Sequence, residues 1–210
     1  MTKALIITSH VEGVSNLYMI QQESYSCVIC ADGGLLIAQQ MGIKPDLLIG
    51  DYDSTELPES ADVIHLPMEK NMTDSEAAID LAVSKGYRTI DILGGLGGRF
   101  DHTMGNIGML AKYCDTLSHM ALIDGQNYVF MMNPGTISIP KNRYKYMGVI
   151  SYGTSVPDVT LEGVKYPLSR HFLTNTTTLG VSNEIIADAA TVSFSTGKLL
   201  IILSNDIDKP

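Results

Sequence analysis

The chain has 210 residues, 45% hydrophobic and 18% charged, which is enough to form a packed core and too apolar for a disordered segment. With 14 Lys and Arg against 23 Asp and Glu, the net charge of −9 argues against a nucleic-acid partner, which needs a basic footprint, and against an anionic membrane surface. No segment approaches the roughly 18 apolar residues of a membrane span, the first apolar run is too short for a signal peptide, and three cysteines suit a reducing compartment. A cytoplasmic protein is expected.

Residues 4–7, 27–31, 47–49, 63–66, 89–93, 121–123 and 128–131 read as short β runs. Helical patterns at 35–41, 73–84 and 101–113 fill gaps between them, the clearest carrying Ala77, Ala78, Leu81 and Ala82 near 3.6 spacing. Strands alternating with helices predict an α/β domain with a mostly parallel, Rossmann-like sheet over residues 1–132. Past Asn133, Pro134 and Gly135 the pattern changes to β runs at 136–139, 144–151, 159–164, 191–194 and 199–203, with turn signals between them and no helix. That spacing predicts an all-β sandwich over 133–210. Cys27 and Cys30 have CxxC spacing but sit in a strand, where residues three apart face opposite ways. They read as buried strand cysteines.

Four segments at the carboxyl ends of predicted strands carry the chemistry, which is where open α/β sheets bind ligands. Ala-Asp-Gly-Gly at 31–34 offers Asp32 to a ribose hydroxyl or an amine, or as a cap, with Gly33 behind it. Gly-Asp-Tyr-Asp-Ser at 50–54 places Asp51 and Asp53 just past a strand, where both can turn to one Mg²⁺; as a lone motif it reads first as a turn. Thr73 and Glu76 complete a helix capping box, which leaves Asp74 in the first helical turn and Lys70 just outside it. The run Gly94, Gly95, Leu96, Gly97, Gly98 follows a strand and leads through Arg99 into a helix containing Asp101 and His102. Glycines let backbone N–H groups approach an anion, a helix N-terminus favours one, and Arg99 is a planar phosphate clamp. The run is neither a Walker A loop nor the dinucleotide fingerprint.

Taken together and in order, Ala-Asp-Gly-Gly, Gly-Asp-Tyr-Asp-Ser, Lys-x-x-Thr-Asp at 70–74 and Gly-Gly-Arg-x-Asp-His at 97–102 resemble the thiamine pyrophosphokinases. Lys-Tyr-Pro-Leu at 165–168 and Gly-Val-Ser-Asn-Glu at 180–184 are similar to that family's second domain. The resemblance implies transfer of the pyrophosphoryl group of ATP to the hydroxyl of thiamine, giving thiamine diphosphate and AMP, by an α/β domain followed by a β-sandwich. It also implies a homodimer, with thiamine held between one subunit's first domain and the other's second. Residue by residue, it implies Asp51, Asp53 and Asp74 as Mg²⁺ and triphosphate ligands, and Lys70, Thr73, Gly97, Gly98 and Arg99 around the phosphates. Asp101 and His102 face the reacting region, with Asp101 or Asp74 as proton acceptor, and Ser182 and Asn183 line the thiamine pocket. Asn71 stands where the family often has Asp, Tyr52 replaces a usual Phe, and the chain has no Trp to stack on thiamine. A pyrophosphokinase for a pterin alcohol and a non-catalytic nucleotide-binding regulator are the rival readings. The Gly-Val-Ser-Asn-Glu element argues against the first and the full set of aspartates against the second.

Overall fold

The runs Lys-Ala-Leu-Ile-Ile and Cys-Val-Ile-Cys-Ala show no polar alternation because they lie in the middle of a sheet, buried at nearly every position. A computed structural model describes residues 2–17, 20–50, 61–66 and 71–206. Contacts divide the chain into Met1–Gly125 and Gln126–Pro210.

In the first unit, β1 (Lys3–Ile7), β2 (Cys27–Ala31), β3 (Leu47–Gly50), β4 (Asp62–His65), β5 (Thr89–Leu93) and β6 (His119–Ile123) pair in parallel in the order β4-β3-β2-β1-β5-β6. The edge strand β4 has no buried residue. Three helices, α1 (Gly34–Met41), α2 (Asp74–Ser84) and α3 (Phe100–Tyr113), match the predicted helical runs to within a residue. Thr73 caps α2 by accepting from Glu76 N at 3.2 Å, as the capping box requires. Two short 3-10 turns, Val14–Asn16 and Gln22–Ser24, occupy the long link after β1. Cys27 and Cys30 are buried free thiols, and burial pushes Cys30 up to about 12, which leaves it inert at neutral pH.

Because all six strands are parallel, their carboxyl ends share one edge. From β1 the chain steps outward through β2, β3 and β4, then returns to the other flank of β1 as β5. The strand order reverses between β1 and β5, and that is the switch point at which parallel sheets open a crevice.

The second unit contains β7 (Asn127–Met132), β8 (Gly135–Pro140), β9 (Tyr146–Ser151), β10 (Val156–Glu162), β11 (Leu168–Leu173), β12 (Ala189–Phe194) and β13 (Leu199–Ser204). β13 lies antiparallel between β7 and β9, and a four-stranded antiparallel sheet runs β11-β10-β12-β8. Val149, Leu199 and Ile201 of the first group and Val159, Leu161 and Val192 of the second share one apolar cluster. The sequence places the change of pattern near 132, whereas the contacts divide the chain at Gly125, because β7 pairs along its whole length with β13. Strand β10 begins three residues before the predicted run. It passes through Pro157 and Asp158 by a bulge, with Asp158 at φ 56, so these turn-forming residues do not end it. Among the described residues, no helix is long and apolar enough to cross a membrane.

Candidate active site

The edge formed by the carboxyl ends of β1, β2 and β5 gathers most of the residues singled out in the first half of the sequence. Asp32 follows β2 at φ 50, and a Cβ on Gly33 would lie 3.1 Å from the Ser9 Cβ, so the 31–34 turn abuts the segment after β1. Asp51, Asp53 and Lys70 lie outside the described residues; β3 ends at Gly50, immediately before the first of them. Asp74 sits half-buried in the first turn of α2, where a carboxylate complements the helix dipole.

Between β5 and α3 the glycine run turns through positive φ at Gly94, Gly95, Gly97 and Gly98. Its shape is fixed from both sides. Asn106 of α3 donates Nδ2 to Gly95 O at 2.9 Å, Thr103 Oγ1 donates to Gly97 O at 3.2 Å, and Gly95 N donates to His10 O at 3.3 Å. Residues 8–12, at the end of β1, thus form the second wall of the loop. A Cβ on Gly94 would stand 2.2 Å from His10 O, and one on Gly97 2.4 Å from Glu12 Oε1. Sequence reasoning alone misses this wall. Thr-Ser-His-Val-Glu matches no motif, and only its place after the first strand, across the switch point from the glycines, points to it.

A cavity of about 290 Å³ opens between Ser9 and His10 on one side and Gly97, Gly98 and Arg99 on the other. His102 and Asn106 also line a neighbouring cavity of about 200 Å³ that Thr73, Glu76 and Asp101 share. The N-termini of α2 and α3 therefore converge on one groove, a natural anion site. Arg99 is the N-cap residue of α3, with no side-chain cap bond. Asp101 lies in the first turn and accepts from His102 N at 3.0 Å and from Arg99, at 3.3 Å from Nε and 2.6 Å from the terminal nitrogen. Arg99 holds the Asp101 carboxyl below the usual carboxylate range, and Asp101 in turn raises the guanidinium. Both groups are exposed, so the two-point grip of the fork is presented to solvent.

In the second unit, Ser182 is exposed in the left-handed region at φ 58, but Asn183 is only 3% exposed. The Asn183 carboxamide oxygen accepts from Tyr166 N and Glu184 N, at 2.9 and 3.0 Å, and its Nδ2 donates to Tyr166 O at 2.8 Å. Lys165 and Glu184 add an ion pair at 2.7 Å and a backbone bond at 2.9 Å. The two motifs of this unit are thus one clamp, in which Asn183 bonds three backbone groups. Asn183→Ala is expected to cost about 2–3 kcal/mol, because three backbone groups lose their partner. Ser182→Ala should cost a few tenths at most; urea unfolding of both variants checks the difference, and equal midpoints would contradict the clamp.

Residues 20–122 match the family model described as thiamin pyrophosphokinase, catalytic domain, and residues 135–201 match thiamin pyrophosphokinase, vitamin B1 binding domain. The thiamine pyrophosphokinase of Bacillus subtilis (strain 168) is 37% identical over 192 residues, covering 88% of this chain and 90% of the relative. The crystal structure of thiamine pyrophosphokinase from Bacillus subtilis superposes with a TM-score of 0.87 at 31% identity, over 98% of this chain and 100% of that one. That from Geobacillus thermodenitrificans gives 0.85 at 32% identity, over 99% of both chains. With the glycine loop, its arginine and the 180–184 clamp falling inside the two matched regions, this chain belongs to the thiamin pyrophosphokinase family.

Proposed function

We infer that the chain carries the activity of its family, transferring the pyrophosphoryl group of ATP to the hydroxyl of thiamine to give thiamine diphosphate and AMP. The observation that carries this reading is the groove where the glycine loop, Arg99 and the first turns of α2 and α3 meet. Residues 1–132 act as a Rossmann-like ATP-binding catalytic domain, and 133–210 as a β-sandwich that binds thiamine and dimerises. The protein works as a cytoplasmic homodimer.

Gly97 and Gly98 bring backbone N–H groups to the phosphates, with Thr73, Lys70 and His102 as further donors, and Asp32 and Gly33 border the nucleotide. Arg99 exchanges Asp101 for a phosphate. That exchange frees the Asp101 carboxyl from the group that holds it low, so Asp101 becomes a better proton acceptor as the triphosphate seats. Asp74 is the other acceptor within the motif. Ser182 contacts thiamine, and Asn183 positions it by holding the 165–166 turn.

The donor chemistry fits Mg²⁺: Asp51, Asp53 and Asp74 are carboxylates, the hard oxygen ligands this ion takes. When bound, the ion neutralises charge on the triphosphate. Because phosphoryl transfer depends chiefly on positioning and charge neutralisation, losing one ligand is severe. Asp74→Ala is expected to abolish turnover with Mg²⁺, a fall of about 10³-fold or more, while folding weakens only by the roughly 0.3–1 kcal/mol of the lost helix-dipole contact. Incubation with ATP, Mg²⁺ and thiamine, with AMP and thiamine diphosphate as the products measured, tests the reading. ADP in place of AMP would contradict pyrophosphoryl transfer, and near-normal activity of Asp74→Ala would remove the metal assignment.

A further inference from the structure

We propose that His10 is a further triphosphate contact, paired with Glu12 across the glycine loop, and that it belongs to the ATP side of the reaction inferred above. The fold brings it there: β1 and β5 flank the switch point, and the segment leaving β1 must cross the mouth of the loop leaving β5. His10 O binds Gly95 N, and its ring lies 3.3 Å from where a Gly98 Cβ would stand, so the imidazole rests against the loop that carries Arg99. The ring is about half exposed and lines the same cavity as Arg99 and His102. The nearby Thr8 hydroxyl is already used otherwise: Thr8 Oγ1 is turned inward to Leu93 O at 3.1 Å and His10 O at 3.3 Å.

Glu12 makes the assignment specific. Its carboxylate sits over Gly97, where it opposes an incoming anion, and His10 Nε2 lies 3.5 Å from its Oε1. The ring nitrogen that faces that carboxylate is the one placed to turn to a phosphate oxygen, so the imidazole stands between the acid and the anion. Removing His10 therefore leaves Glu12 facing the triphosphate with no donor between them, and removing the Glu12 charge as well should relieve much of the loss.

The test titrates ATP and AMP, each with Mg²⁺, into the wild-type chain and into His10→Ala, His10→Gln, Glu12→Gln and the double variant His10→Ala/Glu12→Gln. His10→Ala is expected to weaken ATP about tenfold or more, the effect of one hydrogen bond to a charged group, while AMP and the thermal midpoint stay unchanged. His10→Gln should keep most of the affinity because it retains a donor, and adding Glu12→Gln should restore much of what His10→Ala loses. Unchanged ATP affinity, equal weakening of ATP and AMP, or no recovery in the double variant would overturn the contact. Turnover is read separately by AMP formation with thiamine. A His10→Ala loss confined to ATP in a chain that forms no AMP would keep the phosphate contact and refute the transfer reading.

Discussion

Replacing Arg99 with lysine is expected to slow AMP formation by about 10²–10³-fold while leaving the thermal midpoint unchanged. The reason is visible in the grip on Asp101, where one guanidinium reaches both carboxylate oxygens through two different nitrogens. A phosphate offers the same paired-oxygen target, and only a planar fork meets it with both contacts aligned. Lysine keeps the charge and loses the fork. The stability side of the prediction follows from exposure: the Arg99–Asp101 pair lies at the surface, where ion pairs contribute little to folding. A wild-type rate for Arg99→Lys would mean that Arg99 is structural. A lowered thermal midpoint with proportionate loss of activity would point the same way.

Gly94→Ala should destabilise the first unit by about 3–5 kcal/mol. Gly94 has φ +93, and the added carbon would meet His10 O at 2.2 Å and Thr8 Oγ1 at 2.3 Å. The His10 oxygen is backbone and bound to Gly95 N, so it has no cheap way to withdraw. Gly42→Ala is the internal control. Its φ of +66 imposes a similar left-handed penalty, but nothing stands within 4 Å of its Cβ. That variant should cost only about 1–2 kcal/mol. Urea unfolding of the pair separates packing from backbone strain, and equal losses would show that the 8–12 wall does not press on the loop.

The parallel half of the fold is legible in the sequence because its signals are local. Unbroken apolar runs mark strands covered on both faces, a capping box marks the start of α2, and glycines mark the turn after β5. What the sequence hides depends on contacts between distant segments. Leu168–Leu173 does not read as a strand: it is an edge strand containing Arg170 and His171, with Arg170 at φ 46, so it lacks clean apolar alternation. Residues 8–12 carry no motif and gain meaning only when β5 returns beside β1. Asn183 is legible as a motif residue but not as a buried one, since its three backbone bonds join positions 17 and fewer residues away through a fold the sequence does not display.

The crowding of Gly94, Gly97 and Gly98 by His10 and Glu12 has a bearing on how such chains are sorted by function. Gly94 is required by a neighbouring stretch of the same polypeptide, and Gly97 and Gly98 by their positive φ, whether or not any nucleotide ever enters. A descendant that gave up catalysis would still be destabilised without them, so selection for a stable scaffold alone would preserve them. The acids proposed above to hold the metal would answer to turnover instead, and apart from the dipole of α2 at Asp74 they would drift once turnover ceased. On the proposed assignment, a chain of this architecture that kept the glycines and lost the carboxylates should keep its fold and lose turnover.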